Sequence, residues 1–387
     1  MSYGTKFGSE VTKFIPNDGD QYVKVPDGIA HFLEHKMFEQ ENGVDPFVYF
    51  SESGTNANAF TDFDNTQYIC YGTKNFEDNL RFLLSYVNEP YYTDENVEKE
   101  KGIIEEEIKM YNDMPEHRLE IKLRENIYHN SNRRIDIAGG VSDIYEITKE
   151  DLYLCYNNFY SPRNMFVFVV GNFDKDKALE IIKEKVGNVE NKGETVIDEV
   201  DEAKEIRVLE EELISDIKLP KLALGLKIST DGLKYDDLTL DLYLSMLSSI
   251  CFGGSSEFRE RVRLKKLLNS FYMSWETIKG FRTFYIMASS TDIDKLLEEI
   301  KYEFENISIS EEAFNRMKKV WIANEVKMID NIDATVSNLS DDYIKYHKVI
   351  DNKIELIRNM KIEDMNKIIK KIDFNNISVV KMRGKED

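Results

Sequence analysis

The stretch GIAHFLEHKMF, Gly28 to Phe38, carries two of the chain's five histidines four residues apart, with a glutamate directly before the second. Ile29, Phe32, Leu33, Met37 and Phe38 surround them, so the segment reads as a buried helix over 28–41. Four residues bring a helix round to within about 40° of its starting direction. His31 and His35 therefore present both imidazoles to one spot, the spacing at which one helix supplies two ligands to a first-row metal. Glu34 can reach the same region without binding the metal. A zinc ion held by neutral imidazoles lowers the pKa of a bound water to about 7. A carboxylate beside that water can take its proton and later hand it to a leaving amine. The order H-x-x-E-H reverses the commoner H-E-x-x-H. Two ordinary, partly buried histidines on an amphipathic helix are the competing reading; the complete motif in a histidine-poor chain favours metal.

A catalytic metal of this kind needs a third protein ligand and an open position. His117, His129 and His347 stand in no partner pattern and read as surface or structural residues. The acidic segment EKEKGIIEEEIKM, residues 98–110, is the better source. Glu100 and Glu107 are seven apart there, about 20° from each other on a helix face. Ile103, Ile104 and Ile108 mark the buried side, and a carboxylate on an apolar side must be paired, protonated or bound to a cation. Glu105, Glu106 and Glu98 point elsewhere. Glu107 is the expected ligand and Glu100 a partner that orients a histidine ring, although periodicity alone does not separate the two.

The composition of the 387-residue chain is 42% apolar, 12% aromatic and 32% charged, that of a globular protein with a large core. No apolar run approaches the roughly 20 residues that cross a bilayer, and MSYGTKFGSE has no secretory-signal pattern. Cys70, Cys155 and Cys251 are three separated cysteines without a CxxC pair, read as reduced thiols in a cytoplasmic protein. A net charge of −21 argues against nucleic acid and anionic membrane as partners.

Helix and strand signals alternate along the chain. Strands are expected at NANAF and TQYICYGT, and helices at 46–53, after Asn75 as N-cap, and from Thr93 or Asp94 onward. ITKEDLYLCYNNFY and DKDKALEIIKEKVG read as helices flanking the strand NMFVFVVGNF. The polar, acidic run from Gly187 to Asp216 reads as an interdomain linker centred on 188–205. After it, the strand KLALGLKIS, a helix–glycine turn–helix, paired strands SFYMSWETI and TFYIMASS, helices at 292–306 and 310–330, and the strand ISVVKMRG repeat the rhythm. The expected fold class is α+β, two related domains at 1–187 and 206–387, each an antiparallel-rich mixed sheet with helices packed on it.

With HFLEH followed by EKGIIEEE, the chain resembles the pitrilysin or insulinase family of zinc peptidases, and most closely its bacterial half-size members. The resemblance extends over GTNANAFTDFDNTQYICYG and ITKEDLYLCYNNFYSPRNMFVFVVGNFD, and more weakly over the second half. It implies zinc on His31, His35 and Glu107, with Glu34 as general base and Glu100 supporting. It also implies a peptide substrate added as a strand beside Asn58, Ala59 and Phe60. Two α+β domains would form half of a clam whose other half comes from a homodimer or a sister subunit. Two departures stand out. The family has a strand and hairpin ahead of GTKFGS, so on this reading an N-terminal strand is missing. The family's second domain offers an Arg and a Tyr seven apart, whereas seven residues after Arg263 stands Ser270, and Tyr272 follows at nine. Arg263 reads equally well as a surface residue of a basic helix. A peptide-binding or structural subunit that is inactive without a partner is the alternative function.

Overall fold

In the computed structural model the described residues are Met1–Gly187, Val189, Gly193 and Thr195–Lys385. Part of the expected linker, at 188, 190–192 and 194, lies outside them. The chain opens with strands β1 (Ser2–Thr5), β2 (Lys13–Ile15) and β3 (Val23–Lys24), then helices α1 (Ile29–Lys36) and α2 (Pro46–Glu52). The hairpin β4 (Thr55–Thr61) and β5 (Thr66–Gly72) precedes helices α3 (Phe76–Val87), α4 (Asp94–Asn112) and α5 (Pro115–Ile127). Next come α6 (Val141–Glu146), α7 (Lys149–Phe159), β6 (Met165–Phe168), α8 (Lys175–Val186) and β7 (Val196–Ile197).

Local chemistry accounts for most of these limits. Asp45 accepts from the backbone N–H groups of Phe47 and Val48 and caps α2, whose first residue is Pro46. Thr93 and Asn96 exchange side-chain-to-backbone bonds at the start of α4, a reciprocal cap. Thr148 and Asp151 do the same for α7. Asn75 departs from expectation: it precedes α3 with φ of 53° and makes no side-chain cap. Its amide instead donates to the Ser53 carbonyl at 3.3 Å, so the left-handed backbone turns the side chain away from the helix. The first helix is also shorter than expected, because the backbone tightens after Lys36 into turns through Met37 and Phe38.

The described residues gather in two units, neither continuous in sequence. The first holds Met1–Tyr111, Ser131–Val200 and Asn331–Ile344. Its main sheet runs β4–β5–β1–β6, antiparallel throughout, with β1 hydrogen-bonded on both sides and β4 at one edge. A smaller sheet joins β3, β2 and β7. Phe32 and Leu33 of α1, Tyr68 of β5, Leu80, Leu83 and Leu84 of α3, and Ile104 and Ile108 of α4 share one core.

The second unit holds Asn112–Asn130, Asp201–Asp330 and Lys345–Asp387. After β8 (Glu210–Ser215) and β9 (Lys221–Ser229) come α9 (Asp237–Phe252), α10 (Glu257–Leu264), the hairpin β10 (Ser270–Ile278) and β11 (Phe281–Ser289), and finally β12 (Ile377–Gly384). The sheet order is β10–β11–β9–β12–β8, with only the β12–β8 pair parallel. Helix α5 belongs to this unit because Leu119, Leu123 and Ile127, spaced by four, bury one stripe against Ala223, Val380 and Met382. Gly225 makes room: a Cβ there would lie 2.2 Å from Cδ1 of Ile127.

Candidate metal centre and peptide cleft

Helix α1 starts where two glycine backbones pass each other. Gly28 has φ of 85° and Gly139 φ of 73°; a Cβ on Gly28 would lie 2.2 Å from the Ala138 carbonyl oxygen. This close approach sets the start of α1. Ile29, Ala30, Phe32 and Leu33 face the core, while His31 and His35 share the other face with ring centroids 4.6 Å apart.

Helix α4 brings its carboxylates to that face. Oε2 of Glu107 lies 3.4 Å from Nε2 of His35 and 3.9 Å from Nε2 of His31. One donor atom from each of the three falls within 4.8 Å of the others, the one such group of His, Cys, Asp or Glu side chains among the described residues. Two imidazoles and one carboxylate form a donor set that suits zinc. Oε1 of Glu100 lies 3.0 Å from Nδ1 of His35, which leaves Nε2 of that ring directed at Glu107. The fit is that of a metal-binding histidine whose second nitrogen is held by a carboxylate.

The electrostatics follow from burial and from these partners. Burial, with His35 nearby, pushes His31 down to about 3, so its ring is neutral at physiological pH. Burial also acts to lower His35, but the hydrogen bond and charge of Glu100, with Glu34 and Glu107, carry it above the ordinary histidine value. Glu100 is held below the usual carboxylate range: its burial is outweighed by His35 and by the ammonium of Lys36. That lysine is fully buried and reaches Oε2 of Glu100 at 3.6 Å, the Asn96 carbonyl at 3.2 Å, and Glu39. Glu34 is raised by burial, against a 2.7 Å hydrogen bond that Thr61 Oγ1 donates to its Oε2.

Glu34 and His35 line a cleft of about 620 Å³. One wall is aromatic, Phe38 stacked on Phe47 with centroids 4.3 Å apart; another is the edge strand β4 at Asn58 and Ala59. Along β4 the side chains alternate, with Asn56, Asn58 and Phe60 exposed and Ala57, Ala59 and Thr61 half-buried.

Comparison with known proteins gives two matches to family models. Residues 24–139 match the insulinase family, peptidase family M16, and residues 146–320 the M16 inactive domain. A Bacillus subtilis protein named as the uncharacterized zinc protease YmfH is 35% identical over 373 residues, 95% of this chain and 87% of that one. The chain belongs to the M16 insulinase family.

Another relative of this M16 chain, named as an uncharacterized zinc protease of Rickettsia felis, is 24% identical over 93% of the chain and 88% of its own length. A crystal structure of an M16-like peptidase from Alicyclobacillus acidocaldarius matches with a TM-score of 0.92 at 31% identity, covering 99% of this chain and 92% of that one. A Helicobacter pylori protease shares the fold, with a TM-score of 0.83 at 20% identity over 99% and 93% of the two chains.

Two residues singled out in the M16 sequence lie in the second unit. Arg263 lies in the last turn of α10, exposed, with its guanidinium on Glu260 of the same helix at 2.8 and 3.0 Å. Tyr272 stands on the edge strand β10, 64% exposed, and among the described residues no hydrogen bond joins it to Arg263. Sequence reasoning missed Lys36, Thr61 and Gly139. The first two look like ordinary helix and strand residues, and only the GG pair at 139–140 signals a backbone constraint. Among the described residues no helix is long and apolar enough to cross a membrane.

Proposed function

We propose that the chain is a zinc-dependent endopeptidase that hydrolyses peptides or unstructured polypeptide segments. One observation carries the reading: donor atoms of His31, His35 and Glu107 lie within 4.8 Å of one another, beside the buried carboxylate of Glu34 and an open cleft. Zinc bound to these three residues would polarise a peptide carbonyl and make its water acidic. Glu34, whose pKa burial raises, would serve as the general base and acid there, taking a proton from water at its carboxylate and returning it to the leaving amine. Glu100 holds the ring of His35. The free edge of β4 at Asn58, Ala59 and Phe60 receives the substrate as an added strand, with main-chain hydrogen bonds that are indifferent to sequence.

Reaction takes place in a chamber closed by a second half, a homodimer partner or a sister subunit. Three buried free thiols suit a reducing cytoplasm. The test is zinc content and cleavage of a mixed peptide pool by the purified chain, alongside Glu34→Gln. The variant keeps its metal and loses turnover by about 10²- to 10⁴-fold; retained turnover would reject the role of Glu34.

The second reading, a peptide-binding or structural subunit inactive without a partner, draws on Arg263, whose guanidinium is already engaged by Glu260. It also draws on the inactive-domain description of residues 146–320. Full zinc without turnover, restored by adding a sister subunit, would favour it.

A further inference from the structure

The cleft beside Glu34 is rich in carboxylates, yet each of them is engaged. Glu34 accepts from Thr61, Glu39 from Lys36, and Glu100 is shared by His35 and Lys36. Asp45 accepts from the backbone N–H groups of Phe47 and Val48 at 2.8 and 3.3 Å. Lys99 is the one lysine or arginine among the cleft's lining residues, and it is exposed. Its neighbours on α4 are paired, Lys101 with Glu98 and Lys109 with Glu105 and Glu106. Lys99 has no such partner among the described residues, although Glu95 stands four positions earlier, the favoured spacing for a helix ion pair. In a chain of net charge −21, Lys99 is therefore the one lysine or arginine lining this cleft, and it is left without an ion-pair partner among the described residues.

We infer that Lys99 selects peptides that place a carboxylate in the cleft, a specificity that rests on the peptidase reading above. The carboxylate is either an Asp or Glu side chain or the peptide's own C-terminus. Lys99 precedes Glu107 by eight residues, an axial rise of about 12 Å. An extended peptide covers that distance in about four residues, so the selected carboxylate lies about three or four residues from the bond cut. Replacing Lys99 removes the salt link while leaving His31, His35 and Glu107 in place.

The experiment uses the full zinc-loaded chain and matched peptides with Glu or Gln at successive positions on either side of the cut, each with a free or an amidated C-terminus. The expected result is that kcat/KM favours the Glu peptide, or the free C-terminus, by about fivefold. The ratio falls to about one in Lys99→Gln and inverts in Lys99→Glu. Sensitivity to Gln identifies a side-chain carboxylate, and sensitivity to amidation identifies the C-terminus. Fluorescence anisotropy of the same peptides on Glu34→Gln protein reads binding without turnover and should show the same ratio, weakened by salt. Cleavage of all peptides with a ratio of one at every position, or a preference for basic peptides, overturns the inference and leaves the peptidase reading intact. If no peptide is cut, the peptidase reading falls, and the anisotropy ratio decides the inference alone, a value of one overturning it.

Discussion

Nδ1 of His35 lies 3.0 Å from Oε1 of Glu100, and the other oxygen of that carboxylate lies 3.6 Å from the buried ammonium of Lys36. Glu100 thus spans a ring on the solvent side of α1 and a cation on its core side. Glu100→Gln keeps the shape and removes the charge. Zinc affinity, measured by competition with a chromogenic chelator, should fall about tenfold. Unchanged affinity would remove Glu100 from the metal's support.

Thr61 gives a handle on the base. Its hydroxyl donates to Glu34 at 2.7 Å and thereby favours the ionised carboxylate. Thr61→Val deletes the donor at nearly constant shape, so the pKa of Glu34 rises further. The acid limb of a kcat/KM against pH profile requires Glu34 deprotonated, and it should move to higher pH in the variant. A shift to lower pH, or none, would contradict the pairing.

Metal removal and pH are linked through His35. Its folded value lies above the ordinary one, so protonating it stabilises the metal-free protein at low pH, and that contribution is lost as pH rises through the raised value. Metal binding needs the neutral ring and displaces this proton, whereas His31, held down to about 3, has none to release. The difference in Tm between zinc-loaded and chelator-treated protein should therefore grow with pH and shrink on acidification. Differential scanning calorimetry across pH 5–8 reads it; a pH-independent gap would exclude His35 as a ligand.

Gly28→Ala tests the seat of α1. The new methyl would lie 2.2 Å from the Ala138 carbonyl at a backbone φ of 85°. Steric clash and left-handed strain add, and a loss of about 2–3 kcal/mol in urea unfolding is expected. Gly102→Ala is the control. Nothing lies within 4 Å of its added methyl, and it sits inside α4, where alanine is the better helix former, so stability should rise by about 0.5–1 kcal/mol.

What the sequence determined by itself was local. The strands at Lys221–Ser229, Ser270–Ile278 and Ile377–Gly384 follow from runs of apolar, β-branched and aromatic residues. The H-x-x-E-H helix follows from a spacing that no other pair of histidines in the chain has. Tertiary structure alone decided what each face meets. The four-residue stripe of α5 announces a buried face, but that it lies on β9 and β12 depends on the space left at Gly225. Glu100 and Glu107 are nearly equivalent by helical angle. They differ because α4 sets one beside Nδ1 of His35 and the other beside Nε2 of both rings. Thr61 carries no local signal, because its partner is 27 positions away along the chain, and Lys36 shows locally only its pairing with Glu39, its contacts to Asn96 and Glu100 being 60 or more positions away. Periodicity records which residues share a face; which groups that face touches is set by long-range packing, and the chemistry of this site depends on those contacts.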